Sequence, residues 1–382
     1  MIGPPEPDVF QIVRNLPNTS RRLGVVIKVE ASTVSFADCL IRRNLFSAFD
    51  AVTFPMTSGV DCVGRIVYCG VLAQRNDVLK VGDRVCSLFP FLGGNARFVS
   101  LPADHVFPVP NQVDASQATC IVRSYLAAIQ ILYRAGGMDK QIRKGDKVLV
   151  TGANGNLGRA VIELAKVAGA KVYASCRKIH KSFVLDDVGA DVWLNEDPSS
   201  WKEGLSMDII VDCVSFTNNY KDVMDALGKN GTKMVCAGMA KQQRQQIQKQ
   251  RQQFSSLEVK DEFDVDEPVV GFCGVQIMPT PRSNTEDIYR QDMNLFPRVC
   301  NAIFEMTPNV LKRKVIDYNL FDSIEERPDL MADDLSLLFR LLETGRVRPA
   351  VAMTVGLSEV AKAHTLIEFG GLQGAVVCMP SM

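Results

Sequence analysis

The stretch KVLVTGANGNLGRAVIELAKVAGAKVYASC, Lys147 to Cys176, constrains the fold more than any other part of this 382-residue chain. KVLVTG has the unbroken apolar texture of a strand buried on both faces. LGRAVIELAKVAGA is an amphipathic helix closed by Gly169, and KVYASC is a second strand. Further β-like runs follow at Met207–Val214 and Thr232–Gly238, with a helix candidate at Lys178–Val188 between them and the first pair. Repeated β-α-β spacing implies a parallel sheet with helices on both faces.

The turn between the first strand and helix carries Gly152, Gly155 and Gly158. Gly152 permits the turn, Gly155 lets the backbone approach a pyrophosphate, and Gly158 lets the helix lie close to the sheet. The free N–H groups and positive dipole end of that helix then face phosphate. Asn154, Asn156 and Leu157 belong to the same loop. With a strand before it, a helix after it and a second strand at the right distance, the glycine triplet predicts a dinucleotide site. At the end of the second strand stand Ser175, Arg177, Lys178, His180 and Lys181, with no Asp or Glu among residues 175–181. A carboxylate there would bind ribose hydroxyls and repel a 2′-phosphate, whereas Arg and Lys attract one. The cofactor expected from these residues is NADPH, held by Gly152, Asn154, Gly155, Asn156, Leu157, Gly158, Ser175, Arg177, Lys178 and Lys181.

The flanking regions differ in texture. Val25–Ser32, Asp61–Gly70, Val81–Phe89 and Phe107–Pro110 read as strands punctuated by Gly, Asp and Pro, which predicts a compact β domain. Tyr125–Gly137 reads as a helix. Lys241–Gln253 holds eight Gln and four basic residues, and an acidic run, Asp261–Glu267, follows it. That composition predicts a solvated insertion. The segment 280–330 gives no clear pattern, and 335–380 reads as helix, strand and helix. Basic and acidic side chains balance at 43 each, which argues against nucleic acid as a partner. No apolar run reaches membrane-span length, and the start lacks a signal-peptide layout. The eleven cysteines form no CxxC pair, as expected of a reduced, cytoplasmic protein. The three histidines lie far apart, so no metal site is expected.

Several segments together resemble the zinc-free quinone oxidoreductase branch of the medium-chain dehydrogenase/reductases: VSFADCLIRRNLF (Val34–Phe46), PMTSGVDCVGRIVYCG (Pro55–Gly70), GDRV, and LETGRVRPAVAMTVGLSEVAKAHTLIEFGGLQGAVVCM (Leu342–Met379). SFAD, YLAAIQIL and Gly238-Met239-Ala240 are closest in type to the vesicle amine transport protein-like members. The resemblance implies an α/β fold, in which a Rossmann doubly wound parallel sheet accompanies a GroES-like β-barrel-type domain. The implied domains are 1–128, a Rossmann domain at 129–278 containing the Gln-rich insertion, and a return to the first domain at 279–382. It implies a homodimer without zinc that transfers hydride from NADPH to a small-molecule quinone or α,β-unsaturated carbonyl. Two alternatives stay open: an NADPH-binding protein of the same fold with little catalysis, and a trans-2-enoyl thioester reductase. The resemblance adds Ser215, Gly238, Met239 and Phe272 to the cofactor contacts and makes Ser35, Phe46, Asp61 and Tyr125 the catalytic candidates. Zinc-dependent relatives have Cys at Ser35 and His-Glu at Val60-Asp61. The branch's own Asn is replaced by Ser35 and its Tyr by Phe46, which removes a hydroxyl donor. Asp38 and Asp61 are expected to orient backbone or to pair with Arg42 or Arg65.

Overall fold

The computed structural model describes residues 10–14, 24–43, 56–70, 79–88, 93–137, 141–201, 204–214, 220–228, 231–237, 273–277 and 315–382, except 319, 321–322 and 324–326. Of the expected site residues, Phe46, Ser215, Gly238, Met239 and Phe272 lie outside the described residues, as does the Gln-rich insertion. The chain divides into two units, one drawn from Met1–Val122, Gln243–Glu286 and Val351–Met382, the other from Arg123–Gln242 and Asp287–Ala350.

The first unit begins with Phe10–Arg14 (β1) and Gly24–Val34 (β2). Nine of the eleven residues of β2 are buried, as expected of a strand covered on both faces. Ser35 ends it and opens Phe36–Arg42 (α1). Met56–Thr57 (β3), Asp61–Cys69 (β4), Arg84–Leu88 (β5), Phe98–Pro102 (β6) and Phe107–Pro108 (β7) follow, then a short helix, Ala115–Cys120 (α2), capped by Asp114. β2 pairs antiparallel with β4 along one edge, and with β6 along the first half of the other. The β2–β4 register slips at Val26/Ile27 and again at Val29/Ala31. Such bulges bend a sheet toward closure. Val25, Ile27, Val29, Cys62, Ile66, Val85 and Leu101 fill the interior.

One π-helical turn, Ile121–Tyr125, carries the chain from α2 into Leu126–Tyr133 (α3) and so into the second unit. Its strands are Lys147–Thr151 (β8), then, after Asn156–Val167 (α4), Lys171–Ser175 (β9) and Val192–Leu194 (β10). Ile209–Asp212 (β11), Tyr220–Asp225 (α5) and Lys233–Cys236 (β12) follow. Cys273–Ile277 (β13) pairs with β1 and β3, while Val315–Asp317 (β14) pairs with β12. The sheet order is β10-β9-β8-β11-β12-β14 and every pairing is parallel. This is the doubly wound order of dinucleotide-binding folds, which reverses direction between β8 and β11. Val148, Leu149 and Val150 are all fully buried, so both faces of β8 are covered. Leu149 joins Ile210, Met234 and the α5 residues Val223 and Met224 in one cluster. Lys233 is also fully buried, and its Nζ donates to the carbonyls of Ile131, Leu132 and Ala135, closing the C-terminal end of α3.

Pro328–Glu343 (α6) packs on α3. The chain then returns to the first unit as Val351–Val355 (β15), Val360–Phe369 (α7) and Ala375–Cys378 (β16). β16 pairs with the second half of β2, at Ser32, Thr33 and Val34. The middle strand of the first unit is therefore shared by segments from opposite ends of the chain. Arg42 of α1 and Arg43, its C-cap residue, both reach Glu368 of α7, at 2.6 and 2.9 Å.

Lys178–Val188 is helical as far as Asp187, as expected, but irregular: a 3-10 turn, Lys178–His180, leads into a π-type turn, Phe183–Asp187. The segment that gave no pattern at 280–330 supplies β14; three residues are too few to show a period. Asp38 and Asp61 orient backbone, as one of the two expectations had it, accepting from the N–H groups of Ser35 and Thr33, while Arg65 bonds Glu30 at 3.1 Å.

Candidate functional site

β8 ends at Thr151 and the chain turns at Gly152, whose φ of 61° lies in the left-handed region. A Cβ on Gly152 would also sit 2.8 Å from Cγ2 of Val214. Gly155 is the exposed crest of the loop and the N-cap of α4, and among the described residues no side chain caps that helix. The first-turn N–H groups of a helix have no carbonyl one turn back to accept them. Those of Asn156, Leu157 and Gly158 form the start of α4. Among the described residues, a Cβ on Gly155 would meet only the Gly152 carbonyl oxygen, at 3.3 Å. On Gly158 it would lie 2.4 Å from that same oxygen and 2.8 Å from Ala153 Cα. So Gly158 brings the helix onto the loop, while Gly155 leaves open the approach to the helix end. Asn154, Asn156 and Leu157 are half-buried around that opening.

The loop is braced from both neighbouring strands. Ala153 N–H donates to the Ser175 carbonyl at 3.2 Å, which ties it to the end of β9. On the other side Thr151 Oγ1 donates to Asp212 Oδ1 at 2.6 Å, and Val214 N–H donates to the same oxygen at 3.0 Å. Cys213 N–H donates to Thr151 Oγ1 at 3.1 Å. Asp212 is a buried carboxylate at the point where strand order reverses, the place ligands take in open α/β sheets. The apolar texture of MDIIVDCV marks it as strand end; its bond to Thr151 needs the β8–β11 pairing, which the sequence does not display.

At the end of β9, Arg177, Lys178 and Lys181 are exposed and lie on one short turn. Ser175 is buried, and its hydroxyl donates to the Asn195 carbonyl at 2.9 Å. Burial, then the Arg177 charge, lowers the His180 pKa below the ordinary histidine value. The glycine loop, the uncapped helix start and these cations stand along the carboxyl ends of β8 and β9. That donor set fits a dinucleotide: amides and a helix end for a diphosphate, cations for a further phosphate.

The catalytic candidates are placed differently. Ser35 forms a reciprocal cap on α1: its backbone N–H and its hydroxyl both donate to Asp38 Oδ2, at 2.8 and 2.6 Å. Asp61 is fully buried and accepts from Thr33, by the backbone N–H at 2.7 Å and by the hydroxyl. It thereby ties β4 to the end of β2, two residues before Ser35. Tyr125 is buried, and its hydroxyl donates to Glu163 Oε2 at 2.9 Å. Glu163 is the eighth residue of α4, roughly 10 Å along the axis from its first residue. The Arg348 N–H donates to the same Oε2 at 2.7 Å, and Arg159 Nε to Oε1 at 2.7 Å. Burial nonetheless raises the Glu163 pKa above the usual range, against those three donors. Sequence reasoning missed Glu163, because its partners come from residues 125 and 348. Burial also pushes the thiols of Cys120 and Cys378 up to about 12, so neither supplies a thiolate at neutral pH.

Fold and loop together define a two-unit nucleotide-binding protein of the dehydrogenase type. Two family models match the chain: the alcohol dehydrogenase GroES-like domain at residues 22–111 and the zinc-binding dehydrogenase domain at 157–264. The chloroplast envelope quinone oxidoreductase homolog of Arabidopsis thaliana is 30% identical over 176 residues, 45% of this chain and 52% of that protein. The quinone oxidoreductase of Mus musculus is 28% identical over 224 residues, 56% of this chain and 64% of that one. The chain thus spans between half and two thirds of the length of these relatives. A mycobacterial protein solved with NADPH superposes with a TM-score of 0.70 at 21% identity, over 98% of this chain and 97% of that one. This chain belongs to the medium-chain dehydrogenase/reductase superfamily, in its quinone oxidoreductase branch. Its first unit is the GroES-like domain and its second the Rossmann domain.

Proposed function

We propose that the protein is an NADPH-dependent oxidoreductase that passes hydride to a quinone or an α,β-unsaturated carbonyl without zinc. The observation that carries this reading is the combination at the carboxyl edge of the parallel sheet. An uncapped helix start lies behind an open glycine crest, and three cations, with no carboxylate among residues 175–181, follow β9. In this reading the amides of Asn156, Leu157 and Gly158 hold the diphosphate. Arg177, Lys178 and Lys181 hold the 2′-phosphate. Ser215, Gly238, Met239 and Phe272 complete the contacts, as the resemblance implies. The nicotinamide, when bound, supplies the hydride. Asp212 orients the turn after β11 through Val214, and so shapes the cradle without touching the ligand.

Relatives named as quinone oxidoreductases support the acceptor class. The chemistry of Ser35, Val60 and Asp61 supports zinc independence: a serine in a helix cap, an aliphatic side chain and a carboxylate bonded to Thr33 stand at the ligand positions of the zinc-dependent branch. Phe46 has no proton to give, and the hydroxyls of Ser35 and Tyr125 already donate to carboxylates. Water is therefore the proton source in this reading. Nine cysteines, from Cys39 to Cys378, are free thiols, which suits a cytoplasmic setting. No described helix is long and apolar enough to cross a membrane. A homodimer follows from the resemblance and is tested by light scattering.

The engagement of Ser35, Asp61 and Tyr125 in structural bonds favours a second reading, a protein that binds NADPH and turns over slowly. Steady-state oxidation of NADPH with a panel of quinones, enones and enoyl thioesters separates the two. Turnover with quinones or enones supports the first. Micromolar NADPH binding without turnover supports the second. Failure to bind NADPH, or tighter binding of NADH, defeats both.

A further inference from the structure

Two of the cations that follow β9 are held by aromatic neighbours. Arg177 Nη2 lies 3.3 Å from His180 Nε2. A guanidinium only donates, so that ring nitrogen accepts and the imidazole proton sits on Nδ1. His180 is 4% exposed while Arg177 is exposed, so a fixed ring steadies a side chain that would otherwise sample many rotamers. Burial and the Arg177 charge, only partly opposed by Glu196, favour the neutral ring that this bond requires. Lys181 Nζ lies 5.2 Å from the centroid of the Trp193 ring, within cation–π range. The Trp193 Nε1–H donates to the Cys176 carbonyl at 3.2 Å. Cys176 is the residue between Ser175 and Arg177, so the indole is tied to the turn that carries the first cation.

We propose that His180 and Trp193 are positioning residues that pre-orient Arg177 and Lys181 for the cofactor 2′-phosphate, and so set the preference for phosphorylated over unphosphorylated adenosine ribose. This rests on the NADPH reading above. Ordering a long, flexible side chain on binding costs about 0.5–1.5 kcal/mol. A side chain already ordered by its neighbour avoids that cost, which corresponds to about 2- to 12-fold in affinity per cation.

The test uses two fragments without a nicotinamide, adenosine 2′,5′-bisphosphate and 5′-ADP, titrated calorimetrically into the full-length protein. His180→Leu and Trp193→Leu are each expected to weaken the 2′,5′-bisphosphate by about 2- to 12-fold and to leave 5′-ADP within a factor of two. His180→Gln, which keeps an acceptor for Arg177, and Trp193→Phe, which keeps a ring face for Lys181, are expected to recover most of the loss. An unchanged ratio of the two affinities in the leucine variants overturns the proposal. Equal weakening of both probes overturns it too, since it marks a merely structural role. Should His180→Leu fail to fold, Trp193→Leu carries the same test on the other cation. A wild-type protein that binds both fragments equally removes the NADPH reading itself. One that prefers the 2′,5′-bisphosphate, with variants that do likewise, removes only the positioning role.

Discussion

Replacing Gly155 and Gly158 by alanine, one at a time, separates what the loop does for the fold from what it does for a ligand. On Gly158 the new Cβ would stand 2.4 Å from the Gly152 carbonyl oxygen and 2.8 Å from Ala153 Cα. Both are backbone atoms that cannot swing aside, so α4 must shift. Overpacking of this kind costs about 1–3 kcal/mol, or roughly 2–12 °C in Tm for a unit of this size. On Gly155 the Cβ meets one oxygen at 3.3 Å, and the backbone, with φ −81° and ψ 165°, suits any residue. Alanine is a weaker N-cap than glycine, by up to about 1 kcal/mol. A restricted unfolded chain returns about 0.4–1 kcal/mol, so the net change is near zero. The methyl group, however, would occupy the crest that a diphosphate must approach. Losing one hydrogen bond to a charged group there costs about 1.5–3 kcal/mol, roughly 10- to 150-fold in Kd. Thermal unfolding without ligand and calorimetric titration of NADPH read the two effects separately. Gly158→Ala is expected to lower Tm, and Gly155→Ala to hold Tm and lose affinity. Wild-type affinity in Gly155→Ala would refute the cradle, and an unchanged Tm in Gly158→Ala would refute the packing argument.

Lys233→Met removes the donor that satisfies three carbonyls at the end of α3, and a loss of at least about 3 kcal/mol is expected in urea unfolding; a change under 1 kcal/mol would show those carbonyls to be otherwise satisfied. Asp61→Leu strands the two donors of Thr33 and should cost about 2–5 kcal/mol, whereas Asp61→Asn, which can still accept from the Thr33 N–H, should keep most of the stability and any turnover. Loss of turnover in a stably folded Asp61→Asn would instead place Asp61 in the chemistry. Burial first, then Arg42 and Arg43, holds the His364 pKa well below its ordinary 6.5. The unfolded chain therefore takes up a proton that the folded one refuses: stability is full above pH 6.5 and falls as pH drops, by up to about 1.4 kcal/mol per pH unit. His364→Gln should flatten that slope between pH 6.5 and 5, measured by denaturant midpoints.

The parallel sheet was the most legible part of the chain. β8, α4 and β9 announce themselves because each is a long, clean apolar pattern bounded by glycine, and the cations after β9 adjoin them in sequence. The helix expected over Lys178–Val188 is there but of mixed pitch, 3-10 and then π, because apolar spacing does not distinguish these windings from a regular α-helix. The catalytic candidates could be named from resemblance, yet their bonding could not. Ser35 meets a partner three residues away, but Asp61 meets Thr33, and Tyr125 meets Glu163, only after strands and helices distant in sequence have packed.

The local signals of the 382 residues alone determined a parallel βαβ core and a glycine loop that runs into a helix start. These depend on glycine's freedom, apolar periodicity and charge within some thirty consecutive residues. Tertiary structure alone decided the pairing of β16 with the second half of β2, the burial of Lys233 beneath α3, and the bond that makes Asp212 part of the loop. Each of these is a pairing between groups far apart along the chain. Its free energy appears only when folding removes water from both partners at once, so no window of sequence can display it.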